Sequence, residues 1–384
     1  MRIDTWEVRL LRIPLAQPFY TTDRAVDHLD TVYVAAAGNG KTGWAEAAPG
    51  NAPLLTEESA SGVFALLRDH LLPNLPVHHA WESAEKLTEA MAPVRGNRYA
   101  KGVLEMAWHD LNARIKEKPL WELIGGVPRP IEAGLTFDRL PEHEDLYREL
   151  ERARNEKFHR ITIKIRPGWE VQAVSAARAD CPWPIQIAVD LEGALAPDVQ
   201  GEMLYRLQDF MLLYVEQPFA AEDLLSHAIF QETFRTPLSL DESVSNRLEA
   251  AIALDLKSAR VISLKPGRLG GHEETKTVHE AVQKADALCY AGFDLGTSVA
   301  YRHTLAAASL AGCTLPADYI RFGEVFAEEP GRALAPTLHE FPGKKESDPP
   351  KEWQAIDLWQ EPGIGFDPDS DLIEKYTIDR AVFG

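Results

Sequence analysis

The first sixty residues alternate between hydrophobic and polar positions in short runs, which is the pattern of β-strands with one buried face. From about residue 57 to residue 126 the apolar spacing lengthens to that of amphipathic helices, and Gly125 and Gly126 then supply a stop signal. The first third of the chain therefore predicts an α+β domain. The predicted strands cover Trp6 to Ile13, Thr31 to Ala36 and Gly43 to Ala47, and the clearest helix lies in YAKGVLEMAWHDLNARIKEKPLWELIGG.

After Pro130, short β-rich runs alternate with segments of helical spacing, each long enough to cross between parallel strands. Seven such β/α steps favour a closed (β/α) barrel of the TIM type. An open doubly wound sheet is the alternative, but no glycine-rich phosphate loop follows the early strands. The seven runs are IEAGLTF, RITIKI, PIQIAVD, MLLYVE, PLSLD, RVISLK and ALCYAGFD.

The last part of the chain contains a polar, proline-rich stretch, FPGKKESDPPKEWQ, which predicts a surface loop followed by a short closing segment. We expect an α+β domain over residues 1–130 and a barrel domain over residues 131–337, with a tail from about residue 338 to residue 384.

The composition limits the classes of partner. The chain has 384 residues, a formal net charge of −19 and 45% hydrophobic residues. This charge repels nucleic acid and anionic lipid, and no apolar run approaches the ~18 residues of a membrane span. The charged start MRIDTWEVRLLRIPL predicts a first strand instead of a secretory signal. Because Cys181, Cys289 and Cys313 lack CxxC spacing, we expect reduced, packed thiols in a cytoplasmic protein and no zinc site.

Charged residues end five of the β runs. In ITIKIR the polar residues Thr162, Lys164 and Arg166 share one face of the predicted strand. The five strand-end residues are spaced by 26, 26, 25 and 24 positions, about one β/α unit each. Five successive strands therefore bring one ionisable side chain each to the rim where barrel enzymes place their chemistry. These residues are Lys164, Asp190, Glu216, Asp241 and Lys265.

Three of the five strand-end residues are carboxylates, which would repel one another unless a divalent cation lay among them. Oxygen ligands without a nearby His or Cys favour Mg²⁺. Lys164 and Lys265 would flank this cation from opposite sides, because their strands face each other across the barrel mouth. The alternative is that each strand-end charge is merely solvated.

With these runs the sequence resembles the enolase superfamily, in particular its muconate-lactonizing branch, over almost the whole chain. The helix AKGVLEMAWHDLNARIKEKPLWELIGG resembles the capping-domain helix of that branch. RPGWE followed by LKPGRLGG is most similar to the o-succinylbenzoate synthase and N-acylamino acid racemase group. The runs that carry the resemblance are IKIRPGWE, AVD, VEQPF, SLDES and SLKPGRLGG.

The resemblance implies a modified (β/α) TIM-like barrel, closed by an α+β capping domain that the amino-terminal third and the tail form together. It also implies that Lys164 and Lys265 are the acid/base pair. Glu242 would contact the ligands of the metal instead of the metal itself. We expect a small-molecule carboxylate as substrate and a homo-oligomeric assembly. The implied Mg²⁺ ligands are Asp190, Glu216 and Asp241.

The implied reaction removes a proton from the carbon next to a carboxylate and gives an enediolate. Two lysines on opposite faces allow racemisation or epimerisation. One lysine acting as base and then as acid, with the other as a stabilising cation, allows syn elimination or cycloisomerisation. The alternative enzymes are a muconate-type cycloisomerase and a dipeptide epimerase. An alternative from another class is a non-catalytic relative that binds a metal or a carboxylate.

Several positions depart from the pattern of the group. Thr162 stands where a second lysine is common, and Arg166 either takes its place on the same face or is solvated. Glu192 stands where asparagine is common, so it either changes the substrate environment or has no role. Asp294 lies near the end of the seventh strand. Thr162, Glu192 and Asp294 are therefore the candidate substrate contacts.

Two further predictions concern the rim of the barrel. Tyr301 and His303 are expected to begin the helix that follows the seventh strand. Loops of the capping domain, over residues 19–24 and 50–56, are expected to set substrate specificity.

Overall fold

A computed structural model of the chain describes residues 1–20, 25–76, 78–137, 142–165, 168, 170–182, 184–342 and 351–384. These residues form two sheets, and each sheet packs against a large hydrophobic core of its own. In this part of the chain no helix has both the length and the apolar character needed to cross a bilayer.

The strands alternate with helices through the second half of the chain, as the sequence predicts. Within the described ranges the strands are β1 (Thr5–Tyr20), β2 (Ala25–Gly38), β3 (Lys41–Ala47), β4 (Ile131–Phe137), β5 (Arg160–Lys164), β6 (Gln186–Asp190), β7 (Val215–Glu216), β8 (Leu238–Leu240), β9 (Val261–Leu264), β10 (Leu288–Ala291), β11 (Ala317–Tyr319), β12 (Thr337–Phe341), β13 (Lys351–Ile356) and β14 (Thr377–Phe383).

The α-helices of the described residues include four in the amino-terminal third and ten after it. They are α1 (Ala60–Leu66), α2 (Ala84–Met91), α3 (Arg98–Ile115), α4 (Leu120–Leu123), α5 (His143–Asn155), α6 (Glu170–Asp180), α7 (Pro197–Leu207), α8 (Leu224–Thr233), α9 (Arg247–Asp255), α10 (Pro266–Leu269), α11 (His272–Lys284), α12 (Ser298–Ala308), α13 (Phe322–Val325) and α14 (Ser370–Tyr376).

The amino-terminal sheet is antiparallel, with strand order β14-β1-β2-β3. Gly38 pairs with Lys41 across the tight turn between β2 and β3. Asn39 and Gly40 form this turn with φ values of 53° and 70°, in the left-handed region that Asn and Gly tolerate best. Helix α3 covers the sheet so closely that a Cβ atom on Gly43 would lie 2.3 Å from the backbone nitrogen of Leu111.

The second sheet is a barrel of parallel strands. Strands β4 to β10 pair in sequence order, and β11 pairs with β4 on its other side. An isolated bridge between Cys289 and Cys313 joins β10 to the segment before β11 and so closes the barrel. The predicted fold class is confirmed, and the seven predicted runs correspond to β4 through β10. The eighth strand, β11, is three residues long and was not predicted.

The tail departs from the sequence prediction in part. Strands β12 and β13 form a hairpin whose β13 pairs with β4 at Ala355 and Ile356, so this part of the tail extends the barrel sheet. Residues 343–350 of the predicted surface loop lie outside the described residues. Among the described strands of the tail, β14 alone joins the amino-terminal sheet, where it pairs with β1. The domain limits at residues 130 and 338 stay a prediction.

Candidate active site

The five strand-end residues lie together at one rim of the barrel. Lys164, Asp190 and Glu216 are the last residues of β5, β6 and β7, and they are neighbours in register. Asp241 and Lys265 directly follow β8 and β9. The strands are parallel and adjacent, so their carboxyl ends meet at the same edge. The structure brings all five predicted residues into one site.

Lys164 contacts two carboxylates on one side of this site. Its Nζ lies 3.1 Å from Asp190 Oδ2 and forms a second ion pair with Glu192. Burial lowers the pKa of Lys164, but the charges of Asp190 and Glu192 outweigh burial and hold the pKa well above its ordinary value. The Glu192 side chain is only 2% exposed, so it belongs to the site and is not a solvated loop residue.

Lys265 contacts a different pair of carboxylates. Its Nζ lies 2.8 Å from Asp241 Oδ2 and 3.0 Å from Asp294 Oδ1. Burial again lowers the pKa of Lys265, and the charges of Asp241 and Asp294 raise it well above the usual range. Asp294, a predicted substrate contact, also accepts a 2.7 Å hydrogen bond from the Tyr99 hydroxyl group. The amino-terminal domain thus reaches the group that pairs with Lys265.

Arg268 is a further member of the site that the sequence analysis missed. It lies on the single turn α10, three residues after Lys265, and is buried. Its Nη1 lies 2.9 Å from Asp241 Oδ2, and its Nη2 pairs with Asp241 Oδ1. Burial raises the pKa of Asp241, but Arg268 and Lys265 together hold it well below its ordinary value. No local pattern signals this contact, because Arg268 and Asp241 are 27 residues apart in the sequence.

The acidic residues of the site fit a bound cation. Burial, followed by the charges of Asp190 and Asp241, raises the pKa of Glu216 well above its ordinary value. Glu242 Oε2 is buried, and no described residue hydrogen-bonds to it. Burial and the charge of Asp241 raise the pKa of Glu242 in the same direction. A group of buried carboxylates suits a hard divalent cation. Among such cations, Mg²⁺ keeps coordination positions open for other ligands. Asp241 accepts three contacts, which leaves one of its roughly four lone pairs for a cation.

Gln217 fixes the position of Asp241. It is fully buried and follows Glu216 with a left-handed φ of 37°. Its Oε1 accepts hydrogen bonds from the backbone nitrogens of Asp241, at 3.0 Å, and Ser243, at 3.2 Å. Its Nε2 donates to the Ser243 hydroxyl group at 2.7 Å. One amide side chain therefore connects the ends of β7 and β8, and the sequence analysis did not single it out.

A cavity of about 200 Å³ lies above these residues, between the barrel and the amino-terminal sheet. Thr162 lines it, and no described residue hydrogen-bonds to the Thr162 hydroxyl oxygen. The predicted specificity segments reach it through Phe19 and through most of the loop over residues 50–56. Residues 21–24 and Arg166 lie outside the described residues. The larger apolar residues of the wall are Phe19, Val26, Leu29, Leu54, Leu55, Phe293, Leu295 and Ile320.

Tyr301 and His303 lie in α12, as predicted for the helix after the seventh strand, and both are buried. His303 Nε2 lies 3.0 Å from the carbonyl oxygen of Trp44 in β3. Nearby, the Glu46 carboxylate from β3 accepts hydrogen bonds from the backbone nitrogens of Thr297 and Ala300 at the start of α12. These contacts attach the amino-terminal sheet to the barrel next to the site.

A second attachment joins α3 to α11, directly after α10. His109 Nε2 lies 3.1 Å from Glu105 Oε1 and 3.2 Å from Glu273 Oε1. The Glu105 carboxylate also accepts hydrogen bonds from the backbone nitrogens of His272 and Glu273. Burial opposes protonation of His109, but the two carboxylates outweigh it and raise the His109 pKa to about 9. The His109 ring therefore bridges two acids at the domain junction through charge contacts of 3.1 and 3.2 Å that lack hydrogen-bond geometry.

This bridge predicts a specific dependence of stability on pH. Because the His109 pKa rises from 6.5 to about 9, its contribution is fully present below pH 6.5 and is lost as pH rises through 9. We expect wild-type protein to lose on the order of 2–3 kcal/mol more unfolding free energy than His109→Gln between pH 6.5 and pH 9.5. Urea unfolding at the two pH values measures this difference. The exposed variant His70→Gln should behave as wild type, and an unchanged pH dependence in His109→Gln would contradict the prediction.

The comparisons with known proteins agree with this architecture. Residues 5–125 match the model of the mandelate racemase / muconate lactonizing enzyme N-terminal domain, and residues 145–372 match the enolase C-terminal domain-like model. These matches and the barrel define an enzyme of the enolase superfamily. Within it, the chain belongs to the mandelate racemase / muconate lactonizing enzyme family, which confirms the resemblance seen in the sequence.

Two curated relatives and one solved structure illustrate the likeness. The chain is 37% identical over 318 residues to the N-succinylamino acid racemase of Thermus thermophilus, covering 83% of this chain and 85% of that one. It is 32% identical over 380 residues to the o-succinylbenzoate synthase of Geobacillus stearothermophilus, covering 98% and 96%. The crystal structure of a dipeptide epimerase from Cytophaga hutchinsonii, complexed with Mg and the dipeptide D-Ala-L-Val, matches with a TM-score of 0.86 at 17% identity over 100% of both chains.

Proposed function

We propose that Asp190, Glu216 and Asp241 bind one Mg²⁺ ion at the barrel rim. Three observations support this proposal: the acids end three adjacent strands, the pKa of Glu216 is strongly raised, and Glu242 Oε2 has no hydrogen-bond partner among the described residues. The dipeptide epimerase of the same fold was crystallised with Mg. The bound cation would stabilise negative charge that develops on a substrate carboxylate.

We further propose that Lys164 and Lys265 transfer the proton on the carbon next to that carboxylate. The observation that carries this proposal is their placement, since one ammonium group contacts Asp190 and the other contacts Asp241, with Glu216 on the strand between. A lysine must lose its proton to act as base. A dication held by Asp190 would weaken one of the two negative fields that raise the pKa of Lys164, the other being that of Glu192, and would thereby favour the free amine.

The two lysines can work in either of two ways. If each acts as the base for one enantiomer, removal on one face and delivery on the other give racemisation. If Lys164 acts alone as base and then as acid, Lys265 stays an ammonium that stabilises the enediolate, and the outcome is syn elimination. The contacts of Lys265 with Asp241 and Asp294 are compatible with both roles.

We infer that the substrate is a succinyl-bearing carboxylate, as the names of the two curated relatives suggest. An apolar wall of capping-domain and barrel residues faces the charged rim and fits the carbon skeleton of such a substrate, whose reacting carboxylate would lie at the rim. Its volume of about 200 Å³ admits a substituent beyond the reacting carboxylate. N-Succinylamino acid racemisation and o-succinylbenzoate formation are the two reactions proposed.

Substrate turnover tests this function. Protein with Mg²⁺ is expected to racemise the N-succinyl derivative of an apolar amino acid, or to form o-succinylbenzoate from its precursor. The matched N-acetyl amino acid lacks the distal carboxylate, and we expect its kcat/KM to be lower by about tenfold or more. Turnover of dipeptides or of muconate, without turnover of any succinyl compound, would favour the epimerase or cycloisomerase alternative and contradict the proposal.

The role of Gln217 gives a separate prediction with a matched control. Gln217→Leu removes the acceptor that holds the Asp241 backbone, and we expect Mg²⁺ affinity to fall by about 10–100-fold. Gln231 supports the other end of β8 in the same way, because its Oε1 accepts from Leu238 N at 2.6 Å. Gln231→Leu is expected to lower stability without changing Mg²⁺ affinity, as measured by calorimetry. Equal losses of affinity in both variants would contradict a positioning role.

The cytoplasmic location and the homo-oligomeric state stay predictions. Size-exclusion chromatography with light scattering measures the oligomeric state.

A further inference from the structure

The seam that closes the barrel contains two cysteines and a histidine. Cys289 lies in β10, and Cys313 precedes β11, where an isolated bridge pairs the two residues. Both thiols are free and buried, and their Sγ atoms lie 3.7 Å apart. His279 projects from α11 so that its ring nitrogen and the two Sγ atoms all lie within 4.8 Å of one another.

This separation matches the geometry of a tetrahedral thiolate site. With a Zn–S distance of about 2.3 Å, two sulfur ligands of a tetrahedral zinc ion lie ~3.8 Å apart. The observed Sγ–Sγ distance of 3.7 Å therefore needs almost no change. A disulfide would require the same atoms to approach to about 2.05 Å. The cysteines thus lie at the spacing of metal ligands and not at that of a disulfide.

We propose that His279, Cys289 and Cys313 form a binding site for a thiophilic divalent cation of the Zn²⁺ class. The site lies toward the amino-terminal ends of the strands, on the opposite face of the barrel from the carboxylate rim. Cys289 is three residues, or ~10 Å of chain, before Gly292, which directly follows β10. The lack of CxxC spacing predicted no zinc site. The three residues are far apart in the chain and meet only when the barrel closes.

The charges of such a site balance. Two thiolates, one neutral imidazole and a dication sum to zero, which limits the cost of burying the ion. The His279 ring is preoriented, because its Nε2 accepts a 3.2 Å hydrogen bond from Gly312 N in the loop that leads to Cys313. Binding through Nε2 displaces this hydrogen bond, at a cost of about 1 kcal/mol. Three protein ligands leave the fourth position to a water molecule.

Cobalt spectroscopy on the full chain tests the proposal. Reduced protein saturated with Mg²⁺ is titrated with Co²⁺, which reports thiolate ligation by charge-transfer absorption and tetrahedral geometry by intense visible bands. We expect one equivalent of Co²⁺ to bind and to show both spectral signatures. Added Zn²⁺ should displace this Co²⁺. Cys289→Ser and Cys313→Ser should each weaken binding by about 100-fold or more, and His279→Gln by about tenfold or more.

Cys181 provides the matched control, because it is also buried and its Sγ lies 3.7 Å from the carbonyl oxygen of Leu150, away from the seam. Cys181→Ser should keep the full cobalt signal. A measurement on unmodified protein removes any dependence on the folding of the variants. X-ray absorption of the Zn²⁺ protein should show two sulfur neighbours at about 2.3 Å. A zinc ion with only oxygen and nitrogen neighbours would overturn the proposal. So would a cobalt signal that persists in both Cys289→Ser and Cys313→Ser.

Discussion

Lys164→Ala and Lys265→Ala are each expected to lower net turnover by on the order of 10³-fold or more, because each removes one of the two groups proposed to move the proton. For a racemase, each variant keeps the base for one enantiomer. That enantiomer should still exchange its α-proton with solvent deuterium without being converted, while the other enantiomer stops exchanging. The two variants should show opposite enantiomer preferences in an NMR exchange assay with Mg²⁺.

Conservative variants separate the two mechanisms. Lys265→Arg keeps a cation but supplies no base, since arginine stays protonated in proteins. It should retain measurable activity if Lys265 only stabilises the enediolate, and lose racemisation if Lys265 is a base. Lys118→Ala, at an exposed ion pair with Glu122, serves as the control and should keep full activity. Full turnover in either Lys164→Ala or Lys265→Ala would rule out the proposed mechanism.

Glu216→Gln is expected to have opposite effects on activity and on the stability of metal-free protein. Glu216 is buried between Asp190 and Asp241, on the two neighbouring strands, so the uncompensated negative charge disfavours the folded state. The neutral amide removes this repulsion, and chelator-treated Glu216→Gln should be more stable than chelator-treated wild type by about 1–3 kcal/mol. Activity should fall by at least about 10³-fold, because a proposed ligand of the Mg²⁺ ion is lost.

Glu46→Gln is the matched control for this variant. The Glu46 carboxylate is also buried, but it accepts hydrogen bonds from Thr31, Thr297 and Ala300. Burial raises the pKa of Glu46 too, but the amide also breaks several of these hydrogen bonds, so the replacement should lower stability with or without chelator. Thermal unfolding of both variants, with Mg²⁺ and with chelator, measures whether each substitution raises or lowers stability. If Glu216→Gln destabilised chelator-treated protein as Glu46→Gln does, Glu216 would have a structural role and not a metal-binding one.

Much of this architecture could be predicted from the sequence, because a parallel barrel requires a regular alternation of buried strands and helices along the chain. Each β/α step contributes one buried run, and the step length fixes which residues share a rim. For this reason the sequence alone could place five residues at one rim, namely Lys164, Asp190, Glu216, Asp241 and Lys265. The eighth strand escaped prediction because three residues, Ala317–Tyr319, are too few to show a period.

Contacts between distant segments could not be predicted. Tyr99 reaches Asp294, and Glu46 reaches the start of α12, across the junction of the two sheets. No local pattern identifies such partners, since their meeting depends on how α3 and β3 pack against the barrel. Cys289 and Cys313 meet for a similar reason, at the last seam to close. Glu192 could be identified as unusual from the sequence, but only the structure pairs it with Lys164.

A crystal structure with Mg²⁺ and an N-succinylamino acid tests the central claim most directly. The account predicts one cation bound by Asp190, Glu216 and Asp241, with the α-carbon of the ligand between the Nζ atoms of Lys164 and Lys265. Electron density that shows no cation among these carboxylates, or both amines on the same face of the α-carbon, would contradict it.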